Sequence, residues 1–254
     1  MDDTYVPVCA ALHKVASDAD ATAQSIFNIL DAHLIAAPVP ADGDTDIALT
    51  GYFEPEFDGA LEPDARYPVP IYAVPDDLVP ADPVMRATAS DAPLAVRRAP
   101  DGTRTVYPDR AAIEQGALVE RARPIAYLRD AIDAFVLHVQ GSGVVHCPDG
   151  TLVRLSFAAK NGHPYRSVGQ EMIRRGLMPV DGMTLERMLA WLRAAPEDVC
   201  RSLLWHNPSF IFFERIEGTA PLGAAGVPLI PCRSLAVDAS IHTLGMPFFI
   251  KADG

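Results

Sequence analysis

The sequence predicts an α+β protein in which strands carry the core. Three observations lead there. The 254 residues include 23 prolines, and that many prolines beside few long helical patterns point to short strands and loops rather than a helix bundle. Short apolar runs recur along the chain, bounded by Gly, Pro and Asp, as at Tyr67 to Pro75 and Ser209 to Glu217. The helices that do declare themselves are short and carry their own start signals, at Ser167, Thr184 and Pro196.

Taken in order, the first forty residues read as helical. Ile26, Ile29, Leu30 and Leu34 recur at a spacing of three to four, and Pro38 and Pro40 end the pattern. Ala41 to Asp46 is an acidic turn, and Ile47 to Phe57 an extended segment. The following GALEPDARYPVPIYAVP alternates apolar residues with prolines, as an edge strand or extended loop does. Residues 76–100, rich in Pro, Ala and Asp, read as a surface loop. Val106 to Gly116 reads as a strand end plus a short helix, and Ile125 to Asp133 as another short helix. From Phe135 a strand runs into the turn Gly141-Ser142-Gly143, and a hairpin continues through Pro148-Asp149-Gly150 to Phe157.

Lys160 to Tyr165 is a polar loop, and Ser167 with Gln170 three residues on forms a capping box. Thr184 caps a helix with Leu185, Met188, Leu189 and Leu192 on one face. Pro196 opens a third helix, with Glu197 and Asp198 in the turn where negative charge suits the dipole. It stops before Asn207-Pro208. Ser209 to Glu217, Leu229 to Val237 and Met246 to Lys251 read as strands.

Bulk properties narrow the function. The length suits one large or two medium domains. A formal net charge of −12 and no Lys/Arg stripe argue against a nucleic-acid partner. No apolar run approaches the roughly 20 residues that span a bilayer. Met1-Asp2-Asp3 opens polar, without the basic and apolar regions of a signal peptide. Cys9, Cys147, Cys200 and Cys232 lie far apart with no C-x-x-C, so no zinc site is expected, and a disulfide is left open.

Several constellations invite chemistry. Ser142 sits in Gly-Ser-Gly, but the frame Gln140-Gly141-Ser142-Gly143-Val144 is not a nucleophile elbow, and a turn whose backbone approaches a ligand is the better reading. Glu54 and Glu56 flank Pro55, so an extended strand points both to one face; paired carboxylates can divide acid and base roles, and are more often solvated edge residues. Seven histidines are scattered with no i, i+4 pair. His163 lies in the polar loop within reach of a substrate. Asp238 begins a turn and is expected to cap backbone N–H groups. Lys160 and Asn161 are the strongest pair for polar ligand contacts, with holding the loop's own carbonyls as the rival role. A Gly-rich surface with Gln, Ser, Lys, Asn and Tyr suits a neutral, hydroxyl-rich ligand.

Seven blocks carry a closer resemblance. They are LTGYFEPE from Leu49, YPVPIY from Tyr67, Phe135 to Gly143, Ala159 to Gly169, NPSFIFF from Asn207, Val227 to Ile230, and Val237 to Pro247. In this order they resemble the membrane-bound lytic murein transglycosylase A (MltA) family. The resemblance implies a discontinuous double-psi β-barrel, residues 1–55 and 221–254 here, with a smaller β-domain inserted at 56–220, and a glycan groove between the two. The implied reaction cleaves the β-1,4 bond between N-acetylmuramic acid and N-acetylglucosamine without water. The muramic C6 hydroxyl attacks its own anomeric carbon and leaves a 1,6-anhydro end, so one carboxylic acid can serve as acid and then base. Neither metal nor cofactor is implied. Peptidoglycan glycan strands are the implied partner. The location by family is the periplasm, at the outer membrane, with membrane contact only through an N-terminal lipid anchor not seen in this sequence.

By position, Thr50 and Asp238 fall in the active-site groove, and Gln140, Ser142, Lys160, Asn161 and Tyr165 on its substrate-binding wall. The family's catalytic aspartate follows a later Asp-x-Gly segment that the sequence does not reach before Gly254, so no catalytic residue is assigned within it. Without that segment the expectation divides between a transglycosylase whose acid lies outside this sequence and an inactive peptidoglycan-binding piece. A third, weaker reading gives the acid to Glu54 or Glu56. A barrel lacking its last strands leaves open edges, so marginal stability or self-association is expected.

Overall fold

The computed structural model describes residues 6–18, 20–35, 54–81 and 95–218, and in the C-terminal part 221, 223, 225–230, 233–238 and 240–248. The chain divides into two compact units, Met1–Tyr52 and Phe53–Gly254.

The first unit carries two helices, α1 (Val6–Ala16) and α2 (Ala23–His33), as the spacing of Ile26, Ile29 and Leu30 predicts. Thr22 caps α2: its hydroxyl accepts from the Ser25 N–H at 3.2 Å, and the Ser25 hydroxyl answers the Thr22 N–H. Pro38, Pro40, the acidic turn at 41–46 and most of the extended segment at 47–57 lie outside the described residues.

The second unit is built on a six-stranded mixed sheet. Its strands are β1 (Glu56–Ala60), β2 (Val69–Tyr72), β6 (Pro124–Leu128), β7 (Ser142–His146), β8 (Leu152–Lys160) and β9 (Ile211–Ile216), in the order β2-β6-β1-β7-β8-β9. β1 and β7 run parallel; the other neighbours are antiparallel. β2 lies at the edge, where the missing N–H of Pro70 is tolerated. The sheet curls strongly. Arg215 on β9 donates Nε to the Ile125 carbonyl of β6, four strands away, at 2.9 Å. Among the described residues no ladder joins β9 to β2, so this sheet does not close on itself.

A smaller sheet joins β3 (Leu78–Pro80), β4 (Ala95–Arg98) and β5 (Arg104–Val106). Asp77 pins it, taking Arg97 Nε at 3.1 Å, the Tyr107 hydroxyl at 2.9 Å and the Arg121 guanidinium. Residues 76–100 thus hold two strands where a surface loop was expected; strands of three or four residues, with Val96 the one buried side chain between them, carry little apolar pattern.

Helices cover the sheet. A short turn α3 (Arg110–Ala112) runs into a π-turn (Ile113–Ala117), as expected near Val106 to Gly116. Then come α4 (Ala131–Gln140), α5 (Val168–Arg174), α6 (Leu185–Ala194) and α7 (Glu197–Leu204). Ser167 and Thr184 cap α5 and α6 through their side chains, and Pro196 precedes α7. One core packs Phe57, Ile71, Leu128, Leu137, Leu155 and Phe213 between sheet and α4; a second joins Phe135, Met172, Leu192 and Leu203 among the helices.

Further expectations are corrected here. Phe135 to Gln140 is helix, capped by Asp130 and closed by Gly141 in the left-handed region (φ +78°), not a strand. Conversely Pro124 to Leu128 is a strand, buried between β1 and β2. The turn at Pro148-Asp149-Gly150 is as predicted, with the Gly150 N–H on the Cys147 carbonyl at 3.0 Å. The strand expected over Leu229 to Val237 does not form among its described residues. Leu229 bonds Pro221, and Arg233 and Ser234 bond Ile230, so the main chain is satisfied locally. Of Met246 to Lys251, the described residues 246–248 are not strand.

Candidate functional site

The polar loop after β8 is tied down by a buried knot. Asn161 is fully buried. Its Nδ2 donates to the Pro108 and Pro208 carbonyls at 2.9 and 3.0 Å, and its Oδ1 accepts from the Phe210 N–H at 2.9 Å. Asn207 accepts on Oδ1 from the Arg166 and Ser209 N–H groups. Arg110, 1% exposed, donates to the Asn207 and Ser209 carbonyls and to Glu114, with its guanidinium over the Phe135 and Phe210 rings. Gly162 (φ +86°) closes the loop, since a Cβ there would stand 2.5 Å from the Ala95 nitrogen on β4.

The Asn161 carboxamide is taken up within the protein, on the carbonyls of Pro108 and Pro208 rather than those of its own loop, and on the Phe210 N–H. His163 is likewise engaged, Nε2 to the Tyr107 carbonyl at 2.7 Å. Tyr165, by contrast, is 54% exposed. Lys160, half-buried, pairs with Ile211 at the end of β8.

Gln140 and Ser142 come together at the start of β7. Gln140 ends α4 exposed, Gly141 turns the chain, and Ser142 begins β7 opposite Ser156. Lys160 lies four residues beyond Ser156, about 13 Å along the strand, so the predicted residues form two groups rather than one.

The same sheet face continues through β8 and β9. Ser156 lies opposite Glu214. One pleat further, Arg154 pairs with the Glu54 carboxylate, both largely buried. Glu56 stands exposed on β1, Oε2 to His146 Nε2 at 2.8 Å. Glu54 and Glu56 therefore sit in contrasting surroundings, one buried against a guanidinium and one open beside an imidazole. Ser156 and Glu214 were not singled out from sequence, because only the strand register brings them beside Ser142.

Asp238 makes the turn expected of it. Oδ1 accepts from the Ser240 N–H and hydroxyl at 2.8 and 2.6 Å, and those bonds, the hydroxyl foremost, hold its carboxyl below the ordinary range. Thr50 lies outside the described residues.

Two clefts open on this unit, and neither is lined by Gln140, Ser142, Lys160 or Tyr165. One of about 830 Å³ opens between β2, the π-turn, α4, α6 and α7, with Tyr72, Ile113, Leu192 and Phe210 on its walls and His138 within it. His138 rests edge-on to Phe210 at 4.2 Å, and burial, with the Arg110 charge nearby, holds the imidazole well below its usual pKa. The other, about 450 Å³, lies between β1 and the helices, with Glu56, Asp58, Asp133, His146 and Arg193 among its lining.

Comparison with known proteins places this arrangement. Residues 48–214 match the family described as the MltA specific insert domain. A curated relative, membrane-bound lytic murein transglycosylase A of Vibrio cholerae serotype O1, is 33% identical over 219 residues, 84% of this chain and 52% of the relative. The chain spans about half the length of the curated relatives it matches. Among solved structures, a membrane-bound lytic murein transglycosylase from Agrobacterium tumefaciens superposes with a TM-score of 0.65 at 36% identity, over 74% of this chain and 52% of that one. MltA of Escherichia coli with bound chitohexaose superposes with a TM-score of 0.59 at 32% identity, over 76% of this chain and 50% of that one.

Proposed function

The chain belongs to the MltA family, and on that premise we propose that it forms the glycan-binding wall of a peptidoglycan lytic transglycosylase. One observation carries the reading: a relative 32% identical over 76% of this chain holds chitohexaose, a β-1,4-linked N-acetylglucosamine oligomer. The exposed Gln140 and Tyr165 and the half-buried Ser142 and Lys160 supply hydrogen-bonding groups with little net charge, which suits a neutral glycan. Asn161 supports the Lys160–Tyr165 loop from beneath. Thr50 and Asp238 are carried as groove residues on the resemblance alone.

The proposed reaction is the non-hydrolytic one. A single carboxylic acid protonates the leaving oxygen, then takes the proton of the muramic C6 hydroxyl, and a 1,6-anhydro end results. That acid is assigned to the family's later Asp-x-Gly segment, not to a residue named here. The double-psi barrel (1–55 and 221–254) with its insert (56–220) and a periplasmic, outer-membrane-associated location belong to the same proposal.

Digestion of purified sacculi by the 254-residue chain, followed by mass spectrometry, tests it. Soluble fragments lighter than the hydrolysed form by one water would support turnover by these residues. Sacculi that pull the protein down without releasing fragments would support the glycan wall and place the acid elsewhere. Absence of both sinks the proposal.

A further inference from the structure

The ladder β7–β8–β9 sets three polar side chains in one row. Ser142 faces Ser156, and Ser156 faces Glu214. Residues directly opposite in an antiparallel pair project from the same face. Hydroxyl, hydroxyl and carboxylate therefore follow one another at the strand spacing, and the row crosses about 10 Å of sheet at right angles to the strands. Glu214 is exposed and Ser156 half-buried. Neither side chain is engaged by another described residue, whereas Arg154 and Glu54, one pleat away, are held by each other.

We propose that Ser156 and Glu214 read a glycan strand that lies across β7–β9, and that Glu214 sets the preference for sugars presenting hydrogen-bond donors. The inference rests on the glycan-wall reading above. Sugar hydroxyls and the acetamido N–H are donors. An ionised carboxylate only accepts, and its bonds to such donors are charge-assisted. Ser156, able to donate or accept, meets either kind of group on the neighbouring ring. The row's length is close to that of one disaccharide, so one repeat can be read by one register of the sheet. A chain crossing the strands meets one side chain per strand; a chain running along them would meet Ser156 and Arg154 instead. The carboxylate also disfavours phosphate-bearing ligands.

Titration of the 254-residue chain with chitohexaose tests this, alongside Glu214→Ala, Glu214→Gln, Ser156→Ala and a control on the exposed face of α6, Glu186→Ala. Glu214→Ala should weaken binding about tenfold, the loss typical of one hydrogen bond to a charged group. Glu214→Gln, which keeps an acceptor, should fall between that and the parent. Ser156→Ala should weaken binding less, and Glu186→Ala not at all. Unfolding temperatures should be unchanged, because Glu214 is exposed and its side chain is not engaged by another described residue. Parent-like affinity in Glu214→Ala and Ser156→Ala, with the parent chain binding, overturns this inference and leaves the glycan wall standing. A parent chain that binds neither chitohexaose nor sacculi overturns both.

Discussion

Arg110 and Ser209 stand 99 positions apart in sequence and 2.8 Å apart in space, guanidinium Nη2 on a buried carbonyl oxygen. The same guanidinium takes the Asn207 carbonyl at 3.2 Å and Glu114 at 3.0 Å. Those carbonyls belong to the segment that the Asn161 carboxamide grips from the other side. The conformation of the Asn207–Ser209 turn, and through it the loop carrying Tyr165, depends on a charge that water does not reach.

Arg110→Met keeps the bulk of the side chain and removes every donor. Two buried main-chain carbonyls then lose their donor, at about 1–3 kcal/mol each, while the Glu114 carboxylate keeps its bond from Trp205. Urea unfolding monitored by tryptophan fluorescence reads this directly, since Trp205 Nε1 bonds Glu114 at 2.7 Å. A loss below about 1 kcal/mol, the median for exposed pairs, would mean the knot does not hold the turn.

His138 predicts an acid sensitivity. Its imidazole is buried among Phe210 and Phe213, and burial first, then the Arg110 charge, lowers its pKa. In the unfolded chain it titrates near 6.5. Below that pH the unfolded state binds a proton that the folded state refuses, so stability falls by up to about 1.4 kcal/mol per pH unit. His138→Phe preserves a flat ring between the two phenylalanines and should flatten the pH profile between 6.5 and the folded-state pKa. Parallel profiles for parent and variant would refute the assignment.

How much of this was legible beforehand differs by element. Ser167, Thr184 and Pro196 announced their helices because a cap is a local event, read from three or four residues. Phe135 to Gln140 did not, because α4 is buried on all sides from Ile132 to His138 and shows no polar stripe. A short apolar run of that kind reads equally as strand. The available signals were its ends, Asp130 and Gly141. β6 failed for the mirror reason, lying between two strands and so lacking alternation. The hydroxyl row was beyond sequence reading altogether, since Ser142, Ser156 and Glu214 meet only through strand register.

Glu171 makes the opposite pH prediction to His138. Its carboxylate is gripped by Arg174 at 2.6 Å and Arg175 at 2.7 Å, and these bonds, Arg174 foremost, pull its pKa down to about 2. The stabilisation is complete above the unfolded value near 4.5 and drains away as pH falls toward 2. Glu171→Gln should therefore be less stable than the parent at neutral pH. The two should converge between those limits in an acid titration followed by circular dichroism. A gap that persists unchanged at the acid end would show that the charge is not what stabilises α5.

Glu54 and Glu56 separate the two accounts of where an acid resides. Glu54 is sealed against Arg154, with side chains 12% and 11% exposed, while Glu56 is 68% exposed beside His146. Glu54→Gln removes the charge that answers a buried guanidinium and should lower stability by about 1–3 kcal/mol. Glu56→Gln, at the surface, should stay within about 0.5 kcal/mol of the parent. On the glycan-wall reading neither change alters the chemistry of the products, so any anhydro fragments the parent releases from sacculi persist in Glu56→Gln. Since that variant keeps its fold, loss of fragments from it alone could come only from lost chemistry, and the acid would then belong on β1.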